Sequence, residues 1–305
     1  MRITELLKAS HQPFPSLEIV PPLGGISKDE LLDNIAPLME FKPRYINVTT
    51  HRDEVRFDPQ PDGTFVRRVV RSRVSPVAVC SSIQGRYAVE VVPHIICAGN
   101  TAAEIDWQLQ DFRYLGIDNV MVLRGDSLAG EKRFTPAPGG YAHADELVRA
   151  IRTMGGEDFC IGVGGYPEKH FEAPNLDTDI SYLKQKVDAG ADLVITQMFF
   201  DNAVFYRFVD RCRAAGITVP IIPGLKPLTT ARQVELLPES FSIDIPVELT
   251  DAVKDAGGDR EAVRRLGVDW CTAQCRDLLA HGIQAVHFYT MGKSNNVLEV
   301  LRNCF

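Results

Sequence analysis

Leu17-Glu18-Ile19-Val20-Pro21-Pro22 reads as a short apolar strand closed by two prolines, with one carboxylate in its middle. Side chains alternate along a strand, so Leu17 and Ile19 face one way and Glu18 and Val20 the other. A strand that is apolar on both faces belongs to a sheet covered on both sides, as parallel sheets are. A carboxylate inside such a sheet either finds a cation or keeps its proton, because burying it charged and unpaired is costly. Two readings of Glu18 stand side by side. It pairs with a buried Arg or Lys or lies on an exposed edge, or its burial is used chemically.

Outward from this stretch, strand signals recur with helical patterns between them. A helix over Lys28–Glu40 leads to a strand at Tyr45–Thr49, and the basic segment Phe65–Val74 is predicted as the next helix. A strand at Ala88–Cys97 follows, then a helix over Thr101–Leu115 with Thr101 as N-cap and Gly116 as C-cap. The strand Asn119–Leu123 ends on Arg124-Gly125-Asp126, and a Gly/Pro-rich loop from Ser127 to Tyr141 precedes a helix over His143–Met154. Strands at Cys160–Tyr166, Asp192–Phe199 and Pro220–Gly224 alternate with helices over Thr178–Ala189 and Val204–Ala215. A longer helical region, interrupted near Gly257-Gly258, leads to the strand Ala285–Thr290 and a last helix over Asn295–Leu301.

Eight strands alternating with helices in 305 residues fit an α/β fold of the (β/α)8 barrel type, as a single domain over residues 1–305. An open doubly wound sheet is the alternative, and it lacks the Gly-x-Gly-x-x-Gly expected after its first strand.

Composition narrows the function. Lys and Arg total 33 against 40 Asp and Glu, a formal net charge of −7, which gives no basic footprint for nucleic acid. No apolar run approaches the roughly 20 residues of a membrane span, and the first residues lack the apolar core of a signal peptide. A cytoplasmic protein is expected. The seven cysteines are scattered without a Cys-x-x-Cys pair, which fits reduced, packed thiols. Cys271 and Cys275 are expected to share a packed helix face, and no metal is predicted.

In such a barrel functional groups gather at the C-terminal ends of the strands. Those ends carry Glu18, Thr49, His94, Arg124 with Asp126, Tyr166 with His170, Gln197 and Tyr289. Each alone has a structural reading: Arg124 and Asp126 as a local ion pair, His94 as a core histidine. Together they outline a polar cleft that fits a small-molecule ligand. On the helix that follows the fifth strand, Asp179, Tyr182 and Lys186 are spaced to lie along one side. That side is either a solvated face, or one where Asp179 accepts ribose hydroxyls and Lys186 meets a phosphate.

The motifs resemble those of the methylenetetrahydrofolate reductase family, in its catalytic domain. They are Glu18-x-x-Pro21-Pro22, Pro93-His94, Leu123-Arg124-Gly125-Asp126, Tyr166-Pro167-Glu168-x-His170 and Lys186-Val187-Asp188-Ala189-Gly190-Ala191-Asp192. Ile195-Thr196-Gln197-x-Phe199-Phe200-Asp201, Ile222-Pro223-Gly224 and His287-Phe288-Tyr289-Thr290 continue the match. Their order and spacing, from Glu18 to Tyr289, make the combination specific.

The resemblance implies FAD across the strand ends, with NADH or NADPH and a folate as small-molecule substrates, and a homo-oligomer. It implies Glu18 as the general acid that opens the folate's five-membered ring, and Asp126 as the acid that tunes the flavin and assists folate binding. Thr49, His94, Arg124, Gly125, Asp126, Tyr141, Ala142, Tyr166, His170, Asp179 and Lys186 match flavin contacts. Gln197 and Tyr289, with Glu18 and Asp126, match folate contacts. Lys293 stands where an Arg often meets the folate tail, keeping the charge without the bidentate fork.

One stretch departs from the family. Where many members have a Gly-rich turn after the second strand, this chain has Thr49-Thr50-His51-Arg52-Asp53. The larger relatives carry a C-terminal regulatory domain, for which this chain has no room. Three rival readings are a flavin-free pterin-binding methyltransferase barrel, a reductase fed by a partner protein, and a barrel kept only as a binding subunit.

Overall fold

The computed structural model describes residues 1–127, 134–155, 158–290 and 294–305. In chain order its first half contains α1 (Ile3–Ala9), β1 (Phe14–Ile19), α2 (Lys28–Ile35), a 3₁₀ segment (Ala36–Phe41), β2 (Tyr45–Val48), β3 (Glu54–Pro59), β4 (Phe65–Val70), α3 (Pro76–Arg86), β5 (Glu90–Ile96), α4 (Ala102–Tyr114), β6 (Asn119–Leu123) and α5 (Ala144–Gly155). The second half contains β7 (Cys160–Gly165), α6 (Leu176–Asp188), β8 (Leu193–Met198), α7 (Asn202–Ala214), β9 (Ile221–Leu225), α8 (Gln233–Phe241), α9 (Val247–Asp255), α10 (Arg260–Ala280), β10 (Ala285–Tyr289) and α11 (Asn295–Cys304).

Eight of the strands close into a parallel barrel in the order β1-β10-β9-β8-β7-β6-β5-β2. The closing pair is β1 with β10, where Glu18 stands opposite Tyr289, and on its other side Glu18 stands opposite Asn47. Glu18 therefore lies on an interior strand, not on an edge.

The two-residue period of each strand splits its side chains between two environments. Leu17, Ile19, Ile46, Val48, Val286 and Phe288 point outward into the main core under the helices. Phe14, Tyr45, Val92, Met121, Leu193 and Ile222 form a second cluster with Ile3, Leu6 and Leu7 of α1. That cluster fills the barrel interior, and α1 seals its lower end. Above it the inward positions turn polar, and Ser16, Asn47, His94 and His287 are all buried there.

Local signals account for the helix ends. Thr101 caps α4 in a capping box with Glu104, and Gly116 follows that helix at a φ of +67°. Cys271 and Cys275 are buried on α10, and no group of residues fit to hold a metal occurs among those described. No described helix is long and apolar enough to cross a membrane.

One predicted element is overturned. The segment Phe65–Val74 is not a helix: Phe65–Val70 forms β4, paired antiparallel with β3 in a two-stranded sheet apart from the barrel. Its Val66, Val69 and Val70 favour the pleated conformation, and a partner strand exists across Gln60-Pro61-Asp62-Gly63-Thr64. Gly63 takes a φ of +82°, and Asp62 Oδ1 accepts from Thr64 N at 3.0 Å. This Asp-Gly turn is the hairpin signal that outweighs the basic composition. The helix comes later, as α3, capped by Ser75 with Pro76 in its first turn. The stretch Thr49–Asp53 runs between β2 and this hairpin.

Candidate functional site

A cavity of about 940 Å³ opens at the C-terminal ends of the barrel strands, as the alternation of strands and helices requires. Glu18, Thr49 and His94 line it from β1, β2 and β5 or just beyond, and Arg124, Gly125 and Asp126 from the end of β6. Tyr166 and His170 follow β7, and Gln197 and Tyr289 come from β8 and β10. Ile96, Met121, Leu123 and Ile195 supply apolar wall.

Glu18 sits at the base, its side chain 13% exposed. Its Oε2 lies 3.6 Å from His94 Nε2 and 4.0 Å from His287 Nε2. His94 is also within 3.2 Å of Asn47 Nδ2, and burial pushes its pKa down to about 4, so the ring is neutral at pH 7. His287 is fully buried, with Nδ1 3.0 Å from Ser16 Oγ. Its ring stacks on Tyr45 at 6.4 Å and meets Tyr289 edge-on at 5.1 Å. The nearest ionisable neighbours of Glu18 are thus two buried imidazoles, and no Arg or Lys pairs with it among the described residues. Two buried atoms around it, His287 Nε2 and Asn47 Oδ1, have no hydrogen-bond partner.

The other cavity groups are held in place. Tyr289 donates its hydroxyl to Thr196 O at 2.7 Å, and Gln197 Oε1 accepts from Met198 N at 3.0 Å. Thr49 Oγ1 is 2.9 Å from His51 Nε2, and Thr50 donates to the carbonyl of His94. Arg124 forms an ion pair with Glu172 and lies 4.9 Å above the Phe134 ring. Gly125 has a φ of +82°, and a Cβ there would stand 2.8 Å from that of Ala98. Only glycine lets the backbone turn against β5 at this point.

The family model for methylenetetrahydrofolate reductase matches residues 2–304 of this sequence. The chain belongs to the methylenetetrahydrofolate reductase family. It is 34% identical to "Methylenetetrahydrofolate reductase (NADH) 1" of Arabidopsis thaliana over 94% of its length, while spanning only 48% of that relative. It is 30% identical to "5,10-methylenetetrahydrofolate reductase" of Escherichia coli, covering 92% of this chain and 86% of that one. A solved structure of a Clostridium thermocellum protein, titled as binding two copies of 5-methyl-5,6,7,8-tetrahydrofolic acid, shares the barrel with a TM-score of 0.63. It covers 99% of this chain and 97% of that chain at 13% identity, so the likeness is one of fold.

Not every residue matched to the reductase family lines the cavity. Asp179 is 8% exposed and its Oδ2 accepts from His170 N at 3.0 Å. Lys186 donates to Gly164 O at 2.6 Å and sits 5.9 Å from the Tyr166 ring centre, and burial lowers its pKa to about 8. Both face the strand end of β7, not solvent, while Tyr182 is 50% exposed and does not share their side. Asp179 and Lys186 therefore clamp the turn that carries Tyr166 and His170. Tyr141 packs against the outer core, and the Ala142 N–H donates to Glu146 at 2.9 Å; neither lines the cavity. Lys293 lies outside the described residues.

The sequence reading passed over Ser16, Asn47, His51 and His287. Three of them stand two residues before a singled-out position on the same strand: Ser16 before Glu18, Asn47 before Thr49, His287 before Tyr289. The strand period puts each on the inner face, and that was the available signal.

Proposed function

We propose that this cavity is where 5,10-methylenetetrahydrofolate is reduced to 5-methyltetrahydrofolate, with electrons from NADH or NADPH passing through bound FAD. Family membership supports the folate reaction. The observation that carries the site is the carboxyl of Glu18 at the cavity base, between two buried imidazoles and without a fixed cation among the described residues.

The residues present fit FAD. The cavity has the size of a cofactor site, an apolar wall for a ring system, and a glycine where backbone must come close. Thr49, His94, Arg124, Gly125, Asp126, Tyr166 and His170 would hold it, with Asp179 and Lys186 supporting from behind. Bound FAD would supply two-electron storage between the nicotinamide and the folate.

Glu18 delivers a proton to the ring nitrogen that leaves as the folate's five-membered ring opens. The C–N bond breaks with its electron pair on that nitrogen, leaving an iminium carbon on the other nitrogen; that carbon becomes the methyl group by gaining a hydride, which bound FAD would supply. His94 stays neutral beside Glu18 and does not hold it as a carboxylate by charge. Gln197 and Tyr289, from β8 and β10, orient the folate. The purified protein is expected to show a flavin spectrum that bleaches under anaerobic NADH or NADPH and recovers on adding the folate. A colourless protein would end this reading. A coloured one that no nicotinamide bleaches would point to a protein donor.

Two variants probe the cofactor side. Asp126→Asn removes a negative charge from the cavity and should raise the flavin midpoint potential. An interaction of about 1 kcal/mol corresponds to roughly 20 mV for a two-electron couple. An unchanged potential in protein that retains flavin would place Asp126 away from the ring. Asp179→Ala with Lys186→Ala frees the turn at β7 and should weaken flavin binding about tenfold, the scale of a charged hydrogen bond. Full flavin content after dilution and gel filtration would show that the clamp does not serve the cofactor.

A further inference from the structure

Of the seven cysteines six are buried, and Cys304 alone is partly exposed. It stands in the last turn of α11, which packs along α10, the helix that carries Cys271 and Cys275. The end of α11 is fixed there. Arg276 Nε and Nη2 donate to Asn303 O at 3.2 and 2.9 Å, and Asn303 Nδ2 donates to Thr272 Oγ1 at 3.4 Å. The Cys304 thiol donates to Thr272 O at 3.8 Å. In an α-helix the carbonyl of one residue lies against the side chains three and four places on, which here are Cys275 and Arg276. Cys304 is thereby set against a buried thiol, with a guanidinium beside it.

These neighbours divide the chemistry of the two thiols. The contact with Cys275, aided by the charge of Arg276, holds the Cys304 thiol below the usual cysteine range, against the opposing effect of its partial burial. The same contact, with burial, pushes Cys275 far above that range. Thiolate character therefore gathers on the accessible sulfur, and a protonated thiol waits behind it. That is the arrangement in which an oxidisable cysteine has a resolving partner.

We propose that Cys304 is a peroxide-sensitive thiol and Cys275 the thiol that resolves it, the two forming a reversible disulfide that ties α11 to α10. The Cys304 thiolate attacks one oxygen of hydrogen peroxide. An S–O bond forms, the O–O bond breaks and hydroxide leaves, so the sulfur is oxidised to a sulfenic acid. Cys275 then attacks that sulfur. The S–S bond forms, the S–O bond breaks, and the departing hydroxide carries off the Cys275 proton as water. Neither cysteine lines the cavity at the strand ends, so the site stands apart from the proposed reaction. Cys271, one turn before Cys275 and also buried, is the competing partner.

The test exposes the purified protein to a small excess of hydrogen peroxide, alkylates the remaining thiols after unfolding and maps the products by mass spectrometry. A Cys275–Cys304 cross-linked peptide is expected, lost on treatment with dithiothreitol, while the buried Cys80 and Cys97 stay reduced. The oxidised protein should melt about 5 °C above the reduced one, because the cross-link closes the chain from α10 through β10 to α11. Cys275→Ser should leave Cys304 without a resolving thiol, so that its sulfur gains two or three oxygens instead of a cross-link. Cys304→Ser, a change at a partly exposed position, should abolish both the cross-link and the melting shift. Fully alkylated Cys275 and Cys304 after peroxide treatment would overturn the proposal. So would a Cys271–Cys304 cross-link, which would make Cys271 the resolving thiol. Equal overoxidation of Cys304 in the parent and in Cys275→Ser would overturn it as well.

Discussion

Glu18→Gln is expected to lower folate reduction by the reduced enzyme about 10²-fold or more, while hydride entry from NADH continues at a similar rate. The amide is nearly the volume of the acid, so it can occupy the same place between His94 and His287 without disturbing the barrel. It has no acidic proton to give, and losing a general acid costs on this scale. Only the folate half-reaction calls on that proton, since delivery of hydride from the nicotinamide needs no acid. Stopped-flow measurement of the two half-reactions separates the outcomes. Equal loss in both would make Glu18 a structural residue. No loss in either would put the acid elsewhere and remove the central element of the proposed site.

Gly224→Ala should have the largest effect on stability among changes near the cavity. A Cβ there would fall 2.3 Å from Thr196 O and 2.6 Å from Cε2 of Tyr289. Neither neighbour yields easily. Gly224 N donates to Thr196 Oγ1 at 3.0 Å, and the Tyr289 hydroxyl donates to the carbonyl the methyl would strike. The methyl therefore enters a junction of β8, β9 and β10 where two hydrogen bonds fix all three strands. Overpacking of this kind costs about 3 kcal/mol, and the melting temperature should fall by about 6 °C. The displaced Tyr289 should also raise the folate KM. A variant that melts like the parent with an unchanged KM would mean that the strands part to admit the methyl at no cost.

The barrel was legible because its determinants are local and repeat. Each strand carries an apolar run bounded by turn residues, and each helix carries its caps in sequence, as Thr101 and Gly116 do for α4. The polar residues ending those runs converge because parallel strands all finish on one side. The order of motifs along them was enough to point to the family.

The places where the reading failed depend on what a segment finally touches. Phe65–Val74 is basic and has no internal pattern that excludes a helix. It became a strand because an Asp-Gly turn brought it back onto Glu54–Pro59, a pairing with a partner that helix periodicity does not register. Asp179, Tyr182 and Lys186 were read as one helix side, but Tyr182 is 50% exposed, and which way Asp179 and Lys186 face was settled by packing against β7, where His170 N and Gly164 O take them up.

The sequence by itself determined the alternation of elements, the parallel barrel, the end at which the site lies and the polar residues at the strand ends that line part of it. Tertiary structure alone decided that Glu18 meets His94 and His287, which stand 76 and 269 residues away and become its neighbours only when the barrel closes. It also decided that the β3–β4 hairpin brings Val55, Phe57 and Arg67 to the cavity lining. Alternation and capping act within a few residues and can be read from them. The company a charge keeps depends on which strands become neighbours and where a hairpin folds back, and only the tertiary structure sets that.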